Sequence, residues 1–330
     1  MRRVLNSNRQ TVTLGIDLGG TKVEMALVDE HGHILVSRRR LTQPEQGPDG
    51  VINDIIACVH ECLADTDKTV PALGIGVAGQ VDTSGIVRFA PNLGWHNVPL
   101  KENLENALDM PVIINNDVRM ATFGEWQHGA GQGVNDLVCI FVGTGIGGGV
   151  VSGGQLLQGC GNTAAELGHL TIVSNGRSCR CPNQGCFEAY AGGWGIAERA
   201  QEAVLAEPPA GERLITLAGD IKQISAATVT QAYHEGDPLA ASLIEETAQY
   251  LAAGVVSIIN AFNPCLIILG GGVIQGIPEY VPAIERAAQE KALPPAVENL
   301  RVVTAALGNK AGVIGAAALA RKQLNKATET

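Results

Sequence analysis

Val12-Thr-Leu-Gly-Ile16, followed by Asp17-Leu-Gly19-Gly20-Thr21-Lys22 and then by Val23 to Val28, reads as a strand, a tight glycine turn and a returning strand. The pattern recurs: Leu137-Val-Cys-Ile-Phe-Val142 leads into Gly143-Thr144-Gly145-Ile-Gly147-Gly148-Gly149 and on to Val150-Val151. Two such hairpins predict a duplicated α/β domain whose halves face one another. A third strand is expected through Ile34-Leu-Val36. Apolar residues at helical spacing (Val51, Ile55, Ile56, Val59, Leu63) predict a helix over 50–63, and Leu73-Gly-Ile-Gly-Val77 a further strand. Val112-Ile-Ile114 reads as a strand that hands over to a helix from Val118 to Trp126. Leu239 to Phe262 reads as a long apolar helix stopped near Pro264, and Leu266-Ile-Ile-Leu269 as a buried strand ending in Gly270-Gly271-Gly272. An alanine-rich helix from Gly312 to about Leu324 closes the chain.

With 330 residues, the chain exceeds the roughly 250–300 at which one hydrophobic core stops growing, so two lobes with a ligand cleft are expected. A content of 45% hydrophobic and 17% charged residues, with 41 glycines, fits a well-packed α/β protein rich in turns and argues against disorder. The net charge of −10 offers no general attraction to phosphate backbones, so no nucleic-acid partner is expected. Arg38-Arg39-Arg40 reads as a solvated strand end. Met1-Arg2-Arg3 is basic, but the next apolar stretch is broken by Asp17 and Gly19, so no secretory leader is read. No apolar run is long enough to span a membrane. A cytoplasmic protein is expected, and eight cysteines with three clustered fit a reducing compartment. Cys58 and Cys62 are expected to face the core of their helix.

Gly143, Gly145 and Gly148 formally satisfy G-x-G-x-x-G. The dinucleotide fingerprint needs a helix opening at the third glycine, whereas Val150-Val151-Ser-Gly-Gly reads as a strand and turn, so that assignment is rejected. Bare backbone N–H groups of glycine turns still make an anion-binding concavity. Thr21, Lys22 and Thr144 add hydroxyls and an ammonium suited to phosphate and Mg²⁺, and Asp17 is placed to hold Mg²⁺ through water. Asn115-Asn116-Asp117 follows a strand end, where α/β proteins place chemistry. A carboxylate there accepts a proton from an attacking hydroxyl, and the same residues also suit a helix N-cap. Both roles are compatible.

Glu166-Leu-Gly-His169, Cys179-x-Cys181 and Gly185-Cys186-Phe-Glu188 supply one nitrogen and three sulfurs, a full tetrahedral set for a structural zinc with no position left for water. Folding around the metal would bring Glu166 and Glu188, which flank the ligands, toward one another for a polyhydroxylated ligand.

Together these motifs resemble the ROK family of bacterial sugar kinases and repressors, over residues from Gly15 to about Gly315. D-x-G-G-T-K stands as Asp17 to Lys22, the second phosphate loop as Gly143 to Gly149, and E-[IL]-G-H as Glu166 to His169. C-x-C-G-x-x-G-C-x-E matches Cys179 to Glu188, with Pro182 replacing a glycine. Ala165 also stands where the family usually has glycine, which bears on sugar preference. Pro91-Asn92-Leu-Gly-Trp95 matches ROK glucokinases.

The resemblance implies a two-domain actin-like ATPase or hexokinase fold, with duplicated ribonuclease-H-like domains and a cleft between lobes. Residues 11–116 with a C-terminal helix 313–328 are expected as the small domain, and 117–312 as the large one carrying zinc. It implies ATP, Mg²⁺ and structural Zn²⁺, with Asp117 the base that deprotonates a hexose 6-hydroxyl. Gly79, Asn92, Asn116, Glu166, His169 and Glu188 would bind the sugar, His169 also ligating zinc. Asp17, Gly19, Gly20, Thr21, Lys22, Gly143, Thr144 and Gly145 would hold the nucleotide phosphates, and Gly271 and Gly272 the adenine. Glucose is the first expectation, with N-acetylglucosamine or N-acetylmannosamine as alternatives and a sugar-sensing regulator as a distant one. Polyphosphate is an alternative donor, and a homodimer or homotetramer the expected assembly. Repressor relatives carry an N-terminal helix-turn-helix, for which residues 1–16 leave no room, so a kinase is expected.

Overall fold

The computed structural model describes residues 11–329; the reading of Met1-Arg2-Arg3 lies outside them. The chain forms two compact units. The first runs through Gly133, takes in Gln158–Ala164 and resumes at Ala306, while the second comprises Val134–Leu157 and Ala165–Ala305.

The first unit holds β1 (Thr13–Leu18), β2 (Lys22–Val28), β3 (Ile34–Leu41) and β4 (Leu73–Val77). A small antiparallel sheet follows, made of β5 (Gln80–Val81), β6 (Val87–Ala90) and β7 (Trp95–Val98), before β8 (Val112–Asn116) rejoins the main sheet. Its order is β3-β2-β1-β4-β8, antiparallel across β3, β2 and β1 and parallel across β1, β4 and β8. The second unit repeats this plan with β9 (Leu137–Val142), β10 (Ile146–Ser152), β11 (Gln155–Leu156), β12 (Leu266–Gly270) and β13 (Arg301–Thr304). Its order is β11-β10-β9-β12-β13 with the same directions. The duplication expected from the two hairpins is present strand for strand. β10 returns as a strand from the second glycine turn, as the rejection of a dinucleotide fingerprint requires.

Central strands are buried along nearly their whole length, as sheets covered on both faces require. The edge strand β3 instead alternates between half-buried and exposed positions, and its arginines are solvated: Arg38 pairs with Asp65 and Arg40 with Glu61. The helix Gly47–Ala64 starts earlier than its apolar spacing predicts because Pro48 fits the first helical turn, and it buries both Cys58 and Cys62. The helix Pro238–Phe262 begins under the Asp237 carboxylate, which accepts from Ala240 N–H at 2.8 Å, and ends at Asn263 in a left-handed conformation (φ 46°). No helix among the described residues is long and apolar enough to cross a membrane.

The units differ from the expected division at three places, each for a packing reason. The helix Asp117–His128 belongs to the first unit because it packs on the C-terminal helix Ala311–Glu329, backbone against backbone. A Cβ at Gly315 would lie 1.7 Å from the Met120 carbonyl oxygen, and one at Gly124 2.5 Å from that of Ala311. The other side of the C-terminal helix rests on β1 and β4, where a Cβ at Gly15 or Gly74 would stand 1.9 Å from the carbonyl oxygen of Val313 or Ala316. Segment 158–164 joins the same unit through buried Asn162, whose Oδ1 accepts from Arg119 at 3.0 Å and whose Nδ2 donates to the Val81 carbonyl at 3.0 Å. Residues 306–307 join it through the fully buried Glu125 carboxylate, which accepts from the N–H groups of Ala306 at 3.0 Å and Leu307 at 2.7 Å. Gly315→Ala is expected to cost about 3 kcal/mol, because neither backbone can yield to the added methyl. Denaturant unfolding measures it, and a variant as stable as the parent would contradict this close approach.

Candidate active site

In the first unit the turn between β1 and β2 carries the Asp17–Lys22 motif. Gly19 N–H donates to the Lys22 carbonyl at 3.0 Å, and a Cβ at Gly20 would meet the Asn92 side chain at 2.5 Å. The Asp17–Lys22 turn and the Pro91–Leu93 turn therefore touch. Lys22 lies 3.9 Å from the buried Glu24 carboxylate, which also pairs with Lys310. Thr21 is exposed at the tip.

At the end of β8, Asn116 caps the helix Asp117–His128: its side-chain oxygen accepts from Arg119 N–H at 3.1 Å. Its amide donates to Asp117 Oδ1 at 2.9 Å and to the Gly79 carbonyl at 3.3 Å. Thus Asn116, not Asp117, is the N-cap, and the Asp117 carboxylate is left half-buried in the first helical turn. Gly79, Asn116 and Asp117 stand together.

Burial raises the Asp117 pKa, opposed by hydrogen bonds from the Val118 and Asp117 N–H groups and the Asn116 amide. The Asp17 pKa rises from 3.8 to about 7, first through burial, then through the Asp117 charge, with Lys22 opposing. For Asp17 the sign is that of an acid raised on folding. Its ionisation opposes the fold, so this contribution to stability is fully present below pH 3.8, weakens as pH rises, and is lost at about 7. Asp17→Asn is therefore expected to stabilise the ligand-free protein at pH 8 relative to pH 4, by at most about 4 kcal/mol. Melting curves at the two pH values check this; an equal effect at both would remove the carboxylate coupling.

In the second unit, Gly143–Gly145 forms the β9–β10 turn, with Gly147–Gly149 already in β10 and Gly143 N–H donating to the Gly145 carbonyl at 2.9 Å. The start of the helix Gly193–Ala206 is tied to it: Gly193 N–H reaches the Gly143 carbonyl and Trp194 N–H the Thr144 carbonyl, both at 2.9 Å. Gly271 (φ 90°) and Gly272 turn β12 into the short helix Gly272–Gly276. These elements border a cavity of about 1120 Å³, lined by Thr144, Trp194, Lys222, Ser225, Thr230 and Gly272 among others. The sequence reading places no residue between Glu188 and Leu239 in the site. The signal was the capping box of Ser225 and Thr228, which opens a helix against that cavity.

His169, Cys179, Cys181 and Cys186 bring their ligand atoms within 4.8 Å of one another. Cys179 Sγ lies 3.7 Å from His169 Nδ1 and Cys181 Sγ 3.6 Å from Cys186 Sγ. Tetrahedral bonds of about 2.3 Å give S···S edges of about 3.8 Å, so the four residues fit a metal of that kind. Nδ1 is the His169 ring nitrogen that faces Cys179, so it would be the one to complete such a set, with Nε2 left for another partner. Glu166 is exposed immediately before the turn Leu167–His169. Glu188 is engaged on both oxygens, accepting from Ile146 N–H at 2.7 Å and from Trp194 Nε1–H at 3.0 Å. Ala165 has φ 66°, a left-handed conformation that explains the glycine usual in the resembling family and stores strain here.

A repeated sheet of this order, with a glycine turn in each copy, defines an actin-like ATPase fold of the hexokinase kind. The ROK family model matches residues 13–323, and the chain belongs to the ROK family. It is 36% identical over 317 residues to a glucokinase of Streptomyces coelicolor, covering 94% of this chain and 98% of the relative. It is 33% identical over 312 residues to an N-acetylmannosamine kinase of Escherichia fergusonii, covering 94% and 98%. The crystal structure of a ROK family glucokinase from Streptomyces griseus in complex with glucose and AMPPNP superposes with a TM-score of 0.80 at 37% identity, covering 94% of this chain and 99% of that one.

Proposed function

We propose that the protein transfers the γ-phosphoryl group of ATP to the 6-hydroxyl of glucose, giving glucose 6-phosphate and ADP. The observation that carries this reading is the half-buried Asp117 carboxylate, raised in pKa and held by Asn116 beside Gly79. A carboxylate poised in this way accepts the hydroxyl proton as the sugar oxygen attacks phosphorus and the bond to the β-phosphate oxygen breaks. Asn92, Asn116, Glu166, Glu188 and Nε2 of His169 bind the other hydroxyls. Thr21, Lys22 and the N–H groups of Gly19, Gly20, Gly143, Thr144 and Gly145 bind phosphates, and the cavity bordered by Gly271 and Gly272 takes the nucleoside. Asp17 would hold Mg²⁺ through water, where the ion neutralises phosphate charge. His169 and the three cysteines would hold Zn²⁺, which supplies rigidity and no chemistry, being fully ligated by protein.

The 33% identity to an N-acetylmannosamine kinase favours a second reading, an amino-sugar kinase. A coupled ADP-release assay with ATP and Mg²⁺ against glucose, mannose, N-acetylglucosamine and N-acetylmannosamine separates the two. Turnover with glucose far above the others is expected. Preference for an N-acetyl sugar would move the function to the second reading, and no turnover with any hexose would remove both.

A further inference from the structure

The Glu188 carboxylate is gripped from two sides. Ile146 N–H stands at the start of β10, directly after the second glycine turn, whereas the Nε1–H that reaches Oε1 comes from Trp194, a side chain only 7% exposed. Trp194 joins two further parts of the same unit. Its backbone N–H holds the Thr144 carbonyl, and its ring carries the Arg180 guanidinium, with Cζ 4.6 Å from the ring centroid. Arg180 stands between Cys179 and Cys181, and Cys179 itself packs against the Trp194 cluster. Arg180 has no ion pair or side-chain hydrogen bond among the described residues, and its guanidinium rests on the indole ring. One aromatic side chain thus touches the segment of the metal-ligand set, the phosphate turn and a carboxylate assigned to the sugar.

We propose that Trp194 is a positioning residue for sugar recognition: its N–H fixes the Glu188 carboxylate for hydroxyl binding, and its ring conveys the state of the cysteine segment to that carboxylate. The inference rests on the sugar-kinase reading. Two fixed donors leave a carboxylate with its remaining lone pairs in set directions, which lowers the ordering cost of binding a hydroxyl. Losing one of them frees the group to rotate. Losing the cysteine segment's fold withdraws Arg180 from the ring and Cys179 from the cluster around it.

Trp194→Phe keeps an aromatic ring under Arg180 but removes the donor. In the metal-loaded protein it is expected to raise the glucose Kd by about tenfold by calorimetry, while the melting temperature stays near the parent's. In an E188Q background the same change is expected to cost little, because the partner it acts through is altered. An unchanged glucose Kd in folded W194F, or an equal cost in both backgrounds, overturns the proposal. A parent protein that binds no hexose removes the sugar-kinase reading itself, a result distinct from either. Should W194F not fold, the parent labelled with 5-fluorotryptophan decides, its signals assigned with Trp95→Phe and Trp126→Phe. The Trp194 resonance must shift with glucose and again with chelator, and a resonance that glucose leaves unmoved overturns the proposal.

Discussion

Asp117→Asn is expected to lower kcat by about 10³-fold while leaving sugar affinity within about a factor of two. Asparagine keeps the shape and can still hydrogen-bond a hydroxyl, but it cannot take the proton. The loss therefore falls on the step in which the oxygen attacks phosphorus, and binding is spared. In the parent, kcat is expected to fall on acidification through the raised pKa of Asp117, since the base must be ionised to work. The variant loses that dependence. Single-turnover kinetics with calorimetric sugar binding test both parts. A variant that keeps more than a tenth of parental turnover would exclude Asp117 as the base, and one that binds no sugar would show that its role lies in recognition.

The second large effect is expected on metal removal. Chelation, or Cys181→Ser, should lower the melting temperature and weaken glucose binding by about tenfold or more, because metal-binding free energy is also folding free energy of the cysteine segment. Besides its cysteines this segment is held by two isolated bridges, Thr171 with Cys186 and Ser178 with Gln184, by the Arg177 pair with Glu202 and by Arg177 N–H on the Tyr190 hydroxyl, while most of its positions are half-buried or exposed, so the metal adds to a thin set of anchors. Elemental analysis of purified protein should give one zinc per chain. Protein free of zinc yet fully active and equally stable would dismiss the metal altogether.

What could be read directly from the sequence was local. The strand Leu137–Val142 and the rise of β10 after the glycine turn follow from runs of apolar residues and turn chemistry, and the meeting of His169 with Cys179, Cys181 and Cys186 follows from their closeness in sequence. The grouping of Asp117–His128 with the first unit could not be read in this way. It depends on Gly124 meeting Gly315, two glycines whose meaning appears only when nearly the whole chain has returned on itself. Trp194 was also passed over, since a tryptophan in an alanine-rich helix reads as core until its N–H is seen on Glu188. At Ala165 the departure from the family pattern was visible, but its cause, a positive φ, was a backbone property that no side-chain pattern reveals.

The seating of the helix Ala311–Glu329 on β1 and β4 has a consequence for the order in which the protein is made. A ribosome delivers the first sheet before residues 134–305 and its covering helix after them, so the N-terminal unit must wait, with Gly15 and Gly74 bare, until the helix Ala311–Glu329 has emerged. The second unit is contiguous apart from 158–164 and can condense first, reversing the usual N-to-C sequence of events. A premature stop codon shortly before Ala311 would accordingly do its damage at the opposite end of the polypeptide, in the half that contains Asp17 and Asp117.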